Sequence, residues 1–186
     1  MRSRATWWLI PTCFVACVSL TQPTEADLTV LVTAHDLIRF APDHQLDHQR
    51  VKLQKLRASG IVVLTYEYHP GEGLYLSSEA SVGPPGSGEE HATRSIRGIK
   101  TAAWVKGQDL EIEEQSISPG LDGGTRFFLL RSHGKPIGNG YVTHNDRRAM
   151  FLLFSGVYFS NPEQFSAFIK PKLEALTTYS PDPQAS

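Results

Sequence analysis

The C-terminal third of the chain constrains the fold most strongly, because it carries three β-prone runs separated by short turn-like segments. The runs are TRFFLLR (125–131), PIGNGYVTH (136–144) and RAMFLLFSGVYF (148–159), and SHGK and NDRR join them. In the last run apolar side chains occupy both odd and even positions, so a strand there would be apolar on both faces. We therefore expect these strands at the centre of a sheet that is covered on both sides.

The preceding residues add further strands and helices to this sheet. Alternating or β-branched patterns predict strands at IVVLTYEYHP (61–70), LYLSSEASV (74–82) and DLEIEEQSI (109–117), and a short β-prone run at DLTVLV (27–32). Helical spacing predicts helices from Pro42 and Asp43 to about Arg57, over residues 89–105, and from a Ser160–Glu163 capping pair to about residue 176. The expected fold is a single α+β domain over residues 27–176, with a central antiparallel β-sheet and helices packed on both faces. Residues 177–186 offer little to bury and are predicted to be a disordered tail.

The first 26 residues have the pattern of a cleaved export signal. Arg2 and Arg4 precede the apolar run TWWLIPTCFVACVSL, and the small residues Thr24 and Ala26 precede a cut before Asp27. Alternatively, FVAC resembles a bacterial lipoprotein cleavage box, in which case Cys17 becomes the lipid-modified N-terminus. The sequence thus predicts an exported protein, periplasmic or extracellular, that is either free or anchored to a membrane by lipid.

The net charge and the positions of the cysteines make several classes of function unexpected for this chain. The formal net charge is −1 and the sequence pI is about 6.6, which argues against a general nucleic-acid binder. Both cysteines lie within the predicted signal, so neither is expected to serve as a catalytic thiol. No cofactor-binding motif is present, and no cofactor is expected. Contact with a membrane is expected only through the lipid anchor.

The segment DHQLDHQ places His44 and His48 four residues apart, a spacing that can bind a metal ion on a helix. On the predicted helix both histidines share the face opposite Leu46, Leu53 and Leu56, so they are expected to point at water. A closed zinc site needs a third and usually a fourth protein ligand. We therefore predict that this segment is the solvent-exposed face of a helix. Metal binding by the two histidines is the alternative hypothesis.

Two loops are candidate contact surfaces for a partner. Arg147 and Arg148 are expected at the tip of a hairpin, and Pro84 and Pro85 lie in the loop GPPGSGEE (83–90). Scattered histidines offer a different hypothesis, an extracytoplasmic hydrolase. That reading requires two or three of them to meet acids in one cleft; the candidates are His69, His91, His133 and His144.

The order of elements resembles that of the PsbP-like proteins. The similarity rests on LEIEEQSI, TRFFLLR, GYVTHNDRRAMFLLFSGVYF and the closing segment NPEQFSAFIKPKLEAL, within roughly residues 60–176. It implies a central antiparallel sheet flanked by helices and a non-enzymatic accessory role in binding or assembling larger complexes, often outside the cytoplasm. No family motif is matched residue by residue, so no functional residue is carried over. The expected function is that of an exported, non-catalytic binding or assembly accessory protein whose partner is another envelope protein.

Overall fold

The computed structural model describes residues 18–71, 73–105 and 110–181. The strands are β1 Ser19–Thr21, β2 Val51–Ala58, β3 Ile61–Tyr68, β4 Tyr75–Val82, β5 Leu110–Gln115, β6 Gly124–Ser132, β7 Lys135–His144 and β8 Arg148–Ser155. The α-helices are α1 Glu25–Leu28, α2 Ala34–Ile38, α3 Ser87–Val105 and α4 Pro162–Thr178, and a short 3₁₀ helix, His48–Arg50, precedes β2. None of the described helices is long and apolar enough to cross a membrane.

All the described strands belong to one antiparallel sheet in the order β1-β2-β3-β4-β8-β7-β6-β5. The predicted α+β class with an antiparallel sheet is therefore confirmed. Strands β1 to β4 are adjacent in chain order and form one half of the sheet. After α3 the chain continues at the opposite edge with β5, and β6, β7 and β8 follow inward until β8 pairs with β4. The C-terminal run with apolar side chains on both faces thus becomes a central strand, although it ends at Ser155 rather than at residue 159.

Alternate residues of β8 belong to two different core clusters. Met150, Leu152 and Phe154 join a large cluster that contains Phe165 and Ile169 of α4. Phe151 joins a smaller cluster that contains Ala92 and Ile99 of α3 and Phe128 of β6. The period of two that makes both faces of this strand apolar therefore divides its side chains between two core clusters.

The helix predicted from Pro42 to Arg57 is wrong, because residues from Val51 onward form β2. This strand pairs with β3 in continuous register from Val51↔Tyr68 to Ala58↔Ile61. Ser59 and Gly60 close the hairpin with φ angles of 51° and 77°, the left-handed conformation that two-residue hairpin turns use. Pairing with the strongly β-prone residues 61–68 outweighs the local helical pattern.

The β-run predicted over residues 27–32 is also wrong, because α1 ends at Leu28 and a turn follows it. Thr24 and Asp27 form a reciprocal capping box at the start of α1: each side chain accepts a hydrogen bond from the backbone N–H of the other. The apolar residues that suggested a strand, Val30, Leu31 and Val32, are fully buried in a turn that follows the helix.

The structure corrects both ends of α4. Asn161, not Ser160, caps the helix, and its side chain accepts a hydrogen bond from the N–H of Glu163 at 2.8 Å. The helix continues through Pro171 to Thr178, and Tyr179 packs against the large core cluster. A disordered tail that begins at residue 177 is therefore wrong for residues 177–179, while residues 182–186 lie outside the described part of the chain.

A buried ion pair joins three parts of the chain. Lys55 Nζ donates to both carboxylate oxygens of Asp27, at 2.9 and 2.8 Å, and the two side chains are 6% and 3% exposed. The Tyr179 hydroxyl donates to the same carboxylate, and so does the N–H of Thr24 at 2.7 Å. Burial alone would raise the pKa of Asp27, but the hydrogen bonds from Lys55, Tyr179 and Thr24 outweigh it and lower that pKa from 3.8 to about 2. This Asp27 cluster holds α1, β2 and the end of α4 together.

The Asp27→Asn variant is expected to lower the free energy of unfolding by about 3 kcal/mol at neutral pH, because it leaves the Lys55 ammonium buried without an opposite charge. The carboxylate of Asp27 stabilises the wild type fully above pH 3.8, and this contribution is lost as the pH falls towards about 2. The variant should therefore lose less stability than the wild type over that interval. Urea denaturation at several pH values measures both effects.

The matched control is Glu174→Gln, which removes an exposed carboxylate that lies 3.9 Å from Lys170 on α4. We expect this variant to follow the wild type. Equal stability of the Asp27→Asn variant and the wild type at neutral pH would show that the Asp27 cluster does not hold the fold.

Candidate functional site

Two segments that the sequence suggests separately as contact surfaces are hydrogen-bonded to each other. Gly83 N–H donates to Arg147 O at 2.9 Å, and Arg147 Nε donates back to Gly83 O at 3.2 Å. Gly86 N–H donates to Asp146 Oδ1 at 2.8 Å, and Gly88 N–H donates to Asp146 O at 3.2 Å. The loop before α3 and the β7–β8 hairpin thus form one continuous surface.

The tip of the hairpin is ordered by the side chain of Asn145. Its Oδ1 accepts hydrogen bonds from the N–H groups of Arg147 and Arg148, at 2.9 and 2.8 Å. Its own N–H donates to Arg148 O at 2.9 Å and closes the turn. An asparagine at the start of a turn often makes such contacts, since its short amide reaches the backbone two residues on.

Arg148 connects this hairpin to the end of α4. Its Nε donates to Leu176 O at 3.0 Å, and its Nη2 donates to Tyr179 O at 3.2 Å. A guanidinium in this position satisfies carbonyl groups that the last helical turn leaves open, and it complements the negative end of the helix dipole. The segment after α4 is thereby fixed beside the hairpin.

These segments enclose a groove of about 550 Å³ at one end of the sheet. We name it the arginine groove; its lining residues are Ser59, Gly60, Val82, Gly83, Pro84, Arg147, Arg148, Tyr179, Ser180 and Pro181. The described lining contains two arginines and no acidic side chain. Its charge therefore favours an anionic ligand.

Arg147 is the side chain best placed to meet a ligand. It is exposed, and among the described residues its guanidinium makes one hydrogen bond, from Nε to Gly83 O. The other N–H groups of the guanidinium remain able to bind a carboxylate as a fork. Arg148 is half-buried, and two of its guanidinium nitrogens already donate hydrogen bonds to carbonyl groups. It would therefore contribute to ligand binding mainly through its charge.

Of the four residues predicted to contact a partner, three line this groove: Pro84, Arg147 and Arg148. Pro85 is exposed next to Pro84 in the same loop. Tyr179, Ser180 and Pro181 belong to the segment predicted as a disordered tail, so their place in the wall was missed. The sequence signal for it was an aromatic residue, Tyr179, immediately after an apolar helix.

The histidine pair predicted as a metal site does not share a helix. His44 lies in a loop, is half-buried, and has its Nε2 atom 2.9 Å from the Tyr68 hydroxyl; its predicted exposure is therefore wrong. His48 is exposed and starts the 3₁₀ helix before β2. Within the described ranges, no group of three or more His, Cys, Asp or Glu side chains is arranged to hold a metal ion. Metal binding by His44 and His48 stays a prediction without the helical spacing that suggested it, and Cys17 lies outside the described residues.

The four scattered histidines lie in separate places. His133 lies in the turn before the ten-residue β7, and His144 is the last residue of that strand, about 30 Å away, so these two do not share a cleft. His69 follows β3 and packs its ring edge-on against Tyr75 at 5.5 Å. His91 of α3 has its Nε2 atom 3.3 Å from Glu79 Oε2, and its side chain is 10% exposed. That burial leaves little access for a substrate.

Comparison with known proteins yields no relative for this chain. No protein-family model matches it, and neither a curated protein nor a solved structure does. The arginine groove is therefore interpreted from its own geometry and charge.

Gly88 allows the hairpin to approach the first turn of α3. A Cβ atom at this position would lie 2.1 Å from Asn145 O and 2.6 Å from Arg148 O. The Gly88→Ala variant should therefore displace the hairpin and lower the free energy of unfolding by about 2 kcal/mol. Thermal denaturation measures the loss.

Gly98→Ala provides a matched control in the same helix, since a Cβ atom there meets nothing within 4 Å. Alanine in an open helical position should raise stability by about 0.5–1 kcal/mol. If both substitutions stabilised the protein, the close approach of hairpin and helix would be refuted.

Proposed function

We propose that this protein is an exported, non-catalytic binding or assembly accessory of the cell envelope, and that it holds an acidic segment of another envelope protein in the arginine groove. One observation carries the proposal. The two segments with partner-contact character, 83–88 and 145–148, are hydrogen-bonded together around a groove whose described lining has two arginines and no acid.

The groove suits a peptide better than a small ion. Arg147 supplies a forked donor for a carboxylate, while Val82, Pro84 and Pro181 add apolar surface beside it. The hairpin tip is held by Asn145, and the C-terminal wall is held by Arg148. Because these walls are already ordered, little conformational entropy is lost when a partner binds.

The structure bears on which of the two predicted signal cuts is compatible with the fold. Ser19 to Thr21 form β1 and pair with Arg57 to Lys55 of β2. Thr24 caps α1 and donates to the buried carboxylate of Asp27. A cut before Asp27 would remove these contacts, whereas a cut before Cys17 would keep them. We therefore favour export with cleavage before Cys17 and lipid attachment there; the mass of the mature chain distinguishes the two cuts.

The PsbP-like arrangement, with helices on both faces of the sheet, remains part of the proposal. It is supported by the division of β8 between a cluster that includes α3 and a cluster that includes α4. It is also supported by the order of strands and helices after residue 60, which ends in a hairpin of apolar strands followed by a helix. An accessory role is what that resemblance implies.

Arg147→Glu reverses the charge at the exposed wall of the groove and should release the partner. Its side chain makes a single hydrogen bond within the described structure, so the fold is expected to survive. The measurement is quantitative mass spectrometry of proteins that co-purify with each variant from a gently solubilised envelope fraction. We expect at least one envelope protein to decrease about tenfold or more, the effect of losing roughly 1.4 kcal/mol of binding free energy.

Lys135→Glu is the matched control, because it makes the same charge change on an exposed residue at the opposite end of β7. This variant should retain the partner. Equal recovery of every co-purifying protein with the wild type and both variants would reject the arginine groove as the binding site.

A further inference from the structure

A second cavity, of about 310 Å³, lies over β2 and β3. Its floor consists of two cross-strand pairs on one face of the hairpin, Val51↔Tyr68 and Leu53↔Tyr66. The segment that leads into β2 forms the walls, through His35, Leu46, Asp47 and His48. We name it the tyrosine pocket; it shares no lining residue with the arginine groove.

The same two tyrosines also fix the walls of the pocket. The Tyr66 hydroxyl accepts a hydrogen bond from the N–H of Ala34 at 3.2 Å, which places the next residue, His35. The Tyr68 hydroxyl accepts one from the N–H of Asp47 at 3.2 Å, which places the next residue, His48. Both tyrosine rings are buried, whereas both histidine side chains are exposed. Each histidine is therefore positioned at the pocket by the hydrogen bond that the preceding residue makes to a buried tyrosine.

The chemistry of the lining divides into an apolar interior and a polar mouth. Leu46, Val51 and Leu53 and the two tyrosine rings supply the apolar surface, and the imidazoles of His35 and His48 supply hydrogen-bond donors. The carboxylate of Asp47 is already engaged. Its Oδ1 accepts from Gln49 N–H at 3.0 Å, and its Oδ2 lies 3.5 Å from Arg50 Nε.

We propose that the tyrosine pocket binds a small amphiphilic carboxylate, with its hydrocarbon part over the tyrosine rings and its carboxylate between His35 and His48. The cavity volume lies at the lower end of the range of about 300–1,000 Å³ that small-molecule sites occupy. A largely apolar cavity with a few converging polar groups is the usual composition of such a site. The proposal is independent of partner binding in the arginine groove.

The test is isothermal titration of the mature protein with octanoate, whose short chain and single carboxylate match the pocket. Octylamine, which has the same chain length and the opposite charge, is the matched ligand control. We expect octanoate to bind and octylamine to bind at least about tenfold more weakly. Absence of octanoate binding at millimolar concentration, or equal binding of the two ligands, would overturn the proposal.

Variants locate the site. His35→Ala combined with His48→Ala should weaken octanoate binding about tenfold or more, since both imidazole donors are lost at positions where the side chains are exposed. Leu53→Phe should fill the floor and exclude the ligand. His69→Ala, which removes an exposed histidine outside the pocket, should leave octanoate binding as it is in the wild type.

Arg147→Glu separates the two proposals. It should leave octanoate binding unchanged while it releases the protein partner, because Arg147 lines only the arginine groove. Unchanged octanoate affinity in both the histidine double variant and Leu53→Phe would place the ligand elsewhere and refute the tyrosine pocket.

Discussion

The buried ion pair between Lys55 and Asp27 is the interaction on which the rest of the structure depends. A lysine on the inner face of β2 has to be neutralised, because an unpaired buried ammonium is far more costly than a paired one. The partner comes from α1, which Thr24 caps, and Tyr179 supplies a further hydrogen bond from the end of α4. One strand, the N-terminal segment and the C-terminal segment must therefore assemble together.

Each cavity is lined by residues of an element that the Asp27 cluster holds in place. The Tyr179 hydroxyl donates to Asp27, and the Tyr179 carbonyl oxygen accepts from Arg148. The same residue therefore connects the buried charge to the wall of the arginine groove. Lys55 lies on β2 two positions after Leu53, on the same face of the strand that forms the floor of the tyrosine pocket. Disturbing the Asp27 cluster should consequently affect both cavities, whereas the surface arginine and the surface histidines can be changed separately.

The sheet could be predicted from the sequence wherever local pattern and tertiary pairing agree. Residues 61–68 place an apolar or aromatic side chain at every second position from Val62 to Tyr68, and these side chains are buried as expected. The helix predicted over residues 51–57 is wrong, because these residues pair with another strand across the Ser59–Gly60 turn, and their apolar spacing alone does not indicate that pairing. The buried Lys55 was equally hidden, since its partner lies 28 residues away.

The candidate site could be predicted only in pieces. Turn-rich composition correctly pointed to the loop with Pro84 and to the hairpin with Arg147 and Arg148, but those segments are 64 residues apart and meet only because β4 pairs with β8. The third wall is absent from the prediction, because its local sign, an aromatic residue directly after an apolar helix, does not reveal that Tyr179 bonds to Asp27 and Arg148. Long-range contacts of this kind follow from the complete fold and not from any window of sequence.

Native mass spectrometry of the protein purified gently from the cells that produce it would test the central claim most directly, because one spectrum reports both the mature N-terminus and any bound partner. The expected species retains Val18 to Asp27, begins at a lipid-bearing Cys17, and carries a second envelope protein. A bare chain that begins at Asp27 would contradict both the role of the N-terminal segment in the fold and the proposed accessory function.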